Sequence, residues 1–587
     1  MTTHCSRRSR WMLVLLGVLS GISATEPAAL AGVVVHAEPA ELYSETEIDA
    51  MVAQIQARHL GNDPYWLRLL HYSHGLRGHR SRIDDPRFFL AATGADDPEQ
   101  ECIATLRAVC RPTPVDFPAA AERFPARLEW LIATVPLARA RLSVPSCAAL
   151  EQVLATMSHT QVSLVHADAS LASPGSIFGH TMLVLSSADP APYPTQVIAF
   201  TAYPRRDHDR CYAWRGVFGG HPGYVVSEAF LPVGDAYLRQ EHRALWAYVL
   251  DLDQAATQRL LRHLWELRSI WSAYWFLDEN CSHGILTLLE VARPDARLLA
   301  RLPWWTIPVD ALRAVQSAGL IRERRWQPAI SEALSDPAFA QRLEDLVRPV
   351  ANQPSPVKYS EPGTGPESGH GSLRVSLGFG ATTTTTFAEF RLRPVMHDLL
   401  DYPRGFPVGF QLGLLDTTLR WYADEQRLEM QQCAVVTIRS VQPGSPSPLP
   451  NVWLFDAGLL QQAMGKQGTR AIHARLRGGA GIAVQAGESV LHSALTMETR
   501  AGELQPHYAV GPGLSLGAYI PLGSMGILHP HADLTAFSLG DRTVAWTLGC
   551  AGRLWHGRHC AVSVDLARHG GWDWVDTVAT VRVDGYF

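Results

Sequence analysis

From about residue 372 to its end the chain changes its apolar period from helical to two, and no other feature constrains its fold so tightly. SLRVSLGFGA, TTTFAEFRLRPV, VGFQLGLLD, AIHARLRGGAGIAVQAG, SVLHSALTMETRAG, CAVSVDLARH and DTVATVRVDGYF all alternate, among roughly a dozen such runs. This period sends successive side chains to opposite faces of a sheet. Each run is near the length of about ten residues that a tilted strand needs to cross a bilayer. Two folds satisfy the pattern: a barrel that closes on itself and so hides its edges, or a soluble β-sandwich. The number of runs, and the glycines and aromatics that punctuate them, favour an antiparallel outer-membrane β-barrel over 372–587.

The other end of the chain points to the same compartment. Arg7, Arg8 and Arg10 precede an apolar stretch from Trp11 to Ile22, and the small residues of ATEPAALAG follow. That is the pattern of a secretory signal over 1–31, cut after Ala31 or, next in preference, after Ala24. The stretch is too short to span a bilayer comfortably, and no later run of eighteen apolar residues occurs, so no membrane helix is expected. The chain ends on Phe587 with Val583 and Val581 at alternate positions behind it, which resembles the C-terminal targeting strand of bacterial outer-membrane barrels. A cell-envelope protein with its soluble part in the periplasm is the expectation. A net charge of −5 over 587 residues is small and suggests no nucleic-acid partner.

Between these ends the pattern divides the chain. Residues 32–150 carry helical runs such as ETEIDAMVAQIQARHL and FPARLEWLIATV and form a helical lobe. In 151–300, TQVSLVHADAS, HTMLVLSS and QVIAFTAYP read as strands. The glycine-rich loop WRGVFGGHPGYV follows, then helical stretches over Tyr237 to Leu250 and Ala255 to Ile270. Residues 301–351 extend the helices, and 352–371, rich in Pro, Gly and Ser, are a linker. The chain has nine cysteines. Cys5 leaves with the signal, and the rest enter an oxidising space. Cys102 with Cys110 and Cys550 with Cys560 are close enough for local bridges; the pairing of Cys147, Cys211, Cys281 and Cys433 stays open.

Cys281 is the candidate nucleophile of the 151–300 region. Ile285, Leu286, Leu288 and Leu289 recur at helical spacing behind it, so the thiol falls in the first helical turn. There the unpaired N–H groups and the helix dipole favour a thiolate. Its base is His180, delivered to the mouth of an apolar strand by a small-residue loop containing Ser173, Ser176 and Gly179. The Cys281 N–H is the natural oxyanion donor, with Ser173, Ser176 and the Asn280 side chain as helpers that equally suit turns and caps. His166, Thr201 and Tyr203 are unranked candidates for a third group that orients the imidazole. A packing histidine, a buried structural cysteine or a Cys211–Cys281 bridge is the competing structural account of the same residues. Cys281, His283 and His180 lack the paired spacing of a zinc site. Thiol chemistry of this kind requires neither a metal nor a cofactor.

DPYWLRLLHY, DDPRFFLA, RFPARLEWL, SPGSIFGHTML, GVFGGHPGYV, LWELRSIWSAYWFLDENCSHGILTLLEVARP and TIPVDALRAVQSAGL occur in this order. From about Asp63 to Leu346 the chain resembles the Lnb N-terminal periplasmic domain family. The resemblance implies N-acylation of bacterial lipoproteins from a phospholipid donor. It also implies a permuted papain-like (NlpC-like) thiol domain, hence an α+β catalytic part ahead of the all-β part. His180 takes the place of the family's FGH histidine and Cys281 that of its NC cysteine. The chain departs from the family where membrane helices would follow the soluble domain, because here a β-rich region follows, and that leaves substrate identity open. The phospholipid acyl donor, the lipoprotein or other amine acceptor and the membrane are the partners implied. A cell-wall cysteine peptidase or amidase, or a barrel protein with an inert periplasmic lobe, are the alternatives.

Overall fold

The computed structural model describes residues 43–587 apart from 76–77, 111–116, 142–147, 158–160, 171–176, 188–194, 204–211, 304, 330–336, 349–364, 407–408, 444–451, 465–468 and 503–506. The expected signal segment lies outside these residues, as do Ser173, Ser176, Cys147 and Cys211. The described residues of 43–156 are mainly helical, with one short hairpin (Tyr72–Gly75 and Gly78–Ser81). Helix Glu45–Ala57 begins at a reciprocal cap between Ser44 and Glu47 and buries Ile48, Met51, Val52 and Ile55. Arg127, fully buried, joins this lobe to the rest: it pairs with Glu101 at 2.9 Å, and Glu266 accepts from the Arg127 N–H at 2.9 Å.

Seven antiparallel strands form the sheet that carries the site: β1 (Gln161–Ala167), β2 (His180–Ser186), β3 (Gln196–Ala202), β4 (His221–Ala229), β5 (Leu245–Leu250), β6 (Trp271–Tyr274) and β7 (Ile321–Gln327). Their spatial order is β6-β4-β3-β2-β1-β5-β7. Three expectations change here. Leu245 to Leu250 is a strand, not the end of a helix: LWAYVL is apolar throughout and every position is buried, so its period cannot separate helix from buried strand. The glycine-rich stretch holds a short helix, Tyr212–Val217, and strand β4. The 301–351 segment contributes β7 to the sheet edge besides helices Pro308–Ser317 and Pro337–Val347. Helix Cys281–Ala292 lies close on this sheet, with Gly284 where a Cβ would stand 2.7 Å from the Phe200 Cβ of β3.

The C-terminal region is a closed barrel of twelve antiparallel strands. They are β8 (Arg374–Ala381), β9 (Thr386–Arg393, continued by Val395–His397), β10 (Phe410–Tyr422), β11 (Arg427–Val441), β12 (Val452–Met464), β13 (Thr469–Ala486), β14 (Ser489–Gly502), β15 (Tyr508–Pro521), β16 (Ile527–Ala536, with Leu539–Gly540), β17 (Val544–His556), β18 (Cys560–Gly570) and β19 (Val575–Tyr586). Each pairs with its sequence neighbours, and β8 with β19 closes the ring from Arg374↔Tyr586 to Ala381↔Ala579. Burial decides between the two folds left open above. Along β14, Leu491, Leu495 and Met497 are exposed while Ala494, Thr496, Glu498 and Arg500 are buried; along β19, Val581 and Val583 are exposed while Thr580, Arg582 and Asp584 are buried. A sandwich buries its apolar face. This sheet turns it outward, as contact with hydrocarbon requires. Among the described residues no helix is long and apolar enough to cross a membrane.

The polar faces meet inside. Arg470 on β13 reaches Asp576 on β19, six places away in the ring of twelve, at 3.1 Å. Arg477 on β13 bonds Asp533 on β16 at 2.5 Å, and Arg582 on β19 bonds Glu389 on β9 at 2.9 Å. The lumen is thus crossed by ion pairs. One end of the barrel meets the soluble part through an apolar cluster. In it Val395, Met396, Phe406, Phe410 and Leu412 pack with Ile307, and Ile177, Phe178 and Trp305 lie against them.

The two expected local bridges are absent: Cys102, Cys110, Cys550 and Cys560 are free. Cys102 and Cys110 share one helix eight residues apart, about 12 Å along its axis and beyond disulfide reach. Cys550 sits opposite Leu566 in the β17–β18 ladder, and Cys560 lies near the other end of that ladder, opposite Gly585 on β19.

Candidate active site

Asn280 caps helix Cys281–Ala292. Its Oδ1 accepts from the N–H groups of Ser282 and His283 at 3.0 and 3.2 Å, and its Nδ2 donates to the carbonyls of Phe276 and Thr306 at 3.0 and 2.5 Å. The cap places the thiol on the first residue of the helix, as the pattern predicts. It also commits the Asn280 side chain, which is therefore a cap and not an oxyanion helper. The Cys281 N–H is engaged as well, donating to the Tyr274 hydroxyl at 3.1 Å, so the expected first oxyanion donor already has a partner.

His180 is the first residue of β2, and its imidazole acts on the Cys281 thiol across about a hundred residues of sequence. Cys281 is a free cysteine, 5 % exposed. Burial alone pushes the thiol up. The His180 imidazole outweighs it through charge and hydrogen bond, with the Thr181 main chain and the Ser282 hydroxyl assisting, and brings the thiol down to about 6. Thr181 and Ser282 bond each other through their hydroxyls at 2.8 Å, with the Cys281 Sγ 3.9 and 3.8 Å from them.

Gly179 is required for this placement. Its φ is 87°, and a Cβ there would stand 2.6 Å from the His166 Cε1 and 2.9 Å from the Ala167 carbonyl. His166, buried on β1 opposite Thr181, is held down at about 3 by burial, then by Arg243 and His180, so it is a neutral neighbour of the strand that begins with His180. Thr201 lies at the end of β3. Tyr203 is 39 % exposed beyond it, edge-on to Tyr224 at 5.7 Å. The ring packed on His180 is instead Tyr237, stacked at 6.1 Å and 24°, with the Arg243 guanidinium 4.8 Å from its centroid. Tyr237 sits on a π-helical turn, Ala236–Gln240, an irregularity frequent at functional sites. Burial raises its phenol, and Cys281 is among the charges that act on it. No local signal in the sequence singles out Tyr237 or Tyr274. His283 is buried and lines a small cavity with His71, Arg82 and Glu279.

One group of possible metal ligands occurs among the described residues. His370, His397 and Asp401 bring ligand atoms within 4.8 Å of one another at the barrel end. Asp401 already accepts from Arg374 at 3.2 Å, Arg393 at 2.5 Å, Arg553 at 2.9 Å and the Tyr586 hydroxyl at 2.7 Å. Three guanidinium cations on one carboxylate oppose a further cation, and the group belongs to the ion-pair network of the barrel.

Residues 130–318 match the Lnb N-terminal periplasmic domain. The match is narrower than the resemblance read from Asp63 to Leu346. Two families, each described as a domain of unknown function, match the flanks: DUF7843 over 58–134 and DUF7840 over 363–580. No curated protein matches the chain. Among solved structures the chain is similar to the NanC porin, with 8 % identity over 37 % of this chain and 99 % of that one and a TM-score of 0.23. It is similar also to a loop-deletion mutant of OmpT from Vibrio cholerae, at 8 %, 37 %, 97 % and 0.19, and to an anion-selective porin from Comamonas acidovorans, at 11 %, 37 %, 98 % and 0.16. The barrel rests on the strand pairing and inverted polarity of this chain itself. A periplasmic domain joined to an outer-membrane-type barrel places the protein in the cell envelope.

Proposed function

We propose that the chain is a thiol acyltransferase of the cell envelope. It moves an acyl chain from a phospholipid through a Cys281 thioester to an amine such as a lipoprotein N-terminus. The observation that carries this reading is the His180–Cys281 pair at a helix start, in a domain packed on the end of a membrane barrel. A thiol beside its histidine, the two carried by a helix start and an adjoining antiparallel sheet, suits a permuted papain-like domain. The family resemblance read from the sequence implies lipid-derived acyl groups as substrate.

In the first step His180 holds the thiol proton and the thiolate attacks the ester carbonyl. The tetrahedral intermediate collapses by C–O cleavage, the glycerol oxygen takes the proton back from His180, and a lysophospholipid leaves the Cys281 thioester. In the second step the amine attacks the thioester and gives its proton to His180, the thiolate departs, and an amide is formed. The Cys281 N–H donates to the Tyr274 hydroxyl and the Asn280 side chain caps the helix, so neither stands ready to meet the oxyanion in this scheme.

The test is mass spectrometry of the full chain after incubation with phospholipid vesicles. A hydroxylamine-labile acyl adduct on Cys281, absent from Cys281→Ser, is expected. Release of lysophospholipid by the Cys281→Ser chain would sink the assignment of the nucleophile, and adducts formed with peptide substrates but never with phospholipid would turn the reading toward a peptidase.

A further inference from the structure

Four large apolar side chains stand exposed on segments that adjoin the turn leading to Cys281: Tyr203 at 39 %, Val217 at 41 %, Phe218 at 54 % and Trp275 at 36 %. Single exposed apolar residues are ordinary. These four are not scattered, because the segments that carry them are bonded together. Phe276 donates its N–H to the Gly216 carbonyl at 2.8 Å, and Tyr203 donates its N–H to the Pro222 carbonyl at 2.8 Å. Gly219, with φ 69°, lies so close under Trp275 that a Cβ would meet the indole at 2.3 Å. The patch is therefore a built face of two touching turns, and the turn holding Trp275 runs directly into Asn280 and Cys281.

The same turn is moored to the barrel. Thr306 donates its N–H to the Leu277 carbonyl at 3.0 Å and accepts from the Asn280 Nδ2. On either side of Thr306, Trp305 and Ile307 pack with Val395, Met396, Phe406, Phe410 and Leu412 at the barrel end, and so do Ile177 and Phe178, just ahead of His180. Both halves of the dyad thus hang from one cluster shared with a barrel whose outer face is apolar. That arrangement ties the turn holding Trp275 to the end of the membrane barrel. The composition of the patch suits this place: Tyr and Trp have apolar rings with a polar edge and collect at membrane interfaces.

We propose that Tyr203, Val217, Phe218 and Trp275 form a lip that contacts the acyl chains of the membrane spanned by the barrel and leads them to Cys281. Contact with lipid is argued from the exposure of the patch and its tie to the barrel end; passage to Cys281 rests on the acyl-transfer reading. For contact, the full-length Cys281→Ser chain is reconstituted in vesicles containing a phosphatidylethanolamine with a photoreactive diazirine in its acyl chain, illuminated and mapped by peptide mass spectrometry. Labels on the peptides of Val217–Phe218 and Trp275, besides those on the barrel, are expected. Labels confined to the barrel overturn the proposal and leave the patch to a protein partner. For passage, Phe218→Asp is compared with the unsubstituted chain for acylation of Cys281 by bilayer phospholipid and by a water-soluble p-nitrophenyl ester. The aspartate carries a charge to the interface and should slow acylation from the bilayer by about tenfold or more while leaving the soluble ester unchanged. Equal rates from the bilayer overturn the passage. If the unsubstituted chain takes no acyl group from lipid, the acyl-transfer reading falls, and the labelling result still decides the contact.

Discussion

Replacing His180 by alanine removes the charge and hydrogen bond that bring the Cys281 thiol to about 6, and leaves the burial that opposes them. Because Cys281 is 5 % exposed, the thiol of the variant should return to or above the ordinary value of 9.0. That is a shift of about three units, or roughly 4 kcal/mol of differential stabilisation of the thiolate. At pH 7 the thiolate population falls from about nine-tenths to about one-hundredth. The alkylation rate falls by less, since a more basic thiolate is intrinsically more nucleophilic. The pH midpoint of labelling is therefore the quantity to measure. Iodoacetamide labelling of the Cys281 peptide, followed from about pH 4.5 to about pH 10, should rise through a midpoint near 6 in the unsubstituted chain and near 9 or above in His180→Ala. The thiol is depressed on folding, so its contribution to stability is fully present above about 9 and is lost as pH falls through about 6. His180→Ala should flatten stability across that window. Midpoints within one unit of each other, in roughly the sense of measured scatter, would refute the pairing of His180 with Cys281.

Three other outcomes follow from the geometry. Gly179→Ala forces an L-residue to φ 87° and drives a methyl into His166, so unfolding by chemical denaturant should show a loss of about 1–2 kcal/mol, and the Cys281 midpoint should move upward. Leu495→Arg places a charge on a lipid-facing position of β14 that is 74 % exposed, and unfolding from vesicles should register a cost of about 2–4 kcal/mol if the site lies at the bilayer midplane. The ion pairs crossing the lumen predict that the chain reconstituted in planar bilayers passes no steady ionic current; a stable porin-like conductance would show that Arg470–Asp576 and Arg477–Asp533 do not close it.

The sequence was most legible where the signal is local. A cap residue followed by helical spacing is written in Asn280, Cys281, Ile285 and Leu289, and the structure starts a helix there. The strands around His166, His180 and Thr201 are equally legible, with bounds close to the structural ones. LWAYVL misleads because a run apolar at every position carries no period at all. The partner of the Cys281 N–H escapes the sequence for a different reason. The Cys281 N–H has a partner in Tyr274, and nothing in the intervening residues marks the fold of the turn that brings the hydroxyl back. Tyr237 is invisible for the same reason: it meets His180 only because a π-helical turn from another part of the domain returns to the end of β2.

By itself the sequence determined that the last third of this protein is made of strands and that a thiol opens a helix, because alternation and capping are properties of neighbouring residues. Tertiary structure alone decided what those elements do. Ring closure between Arg374 and Tyr586 turned alternation into a barrel with its charges inside, and the approach of His180 to Cys281 lowered a thiol that burial alone would have raised. Both depend on groups far apart in the chain, whose charge and polarity act through space over a few ångströms and leave no trace in the order of residues between them.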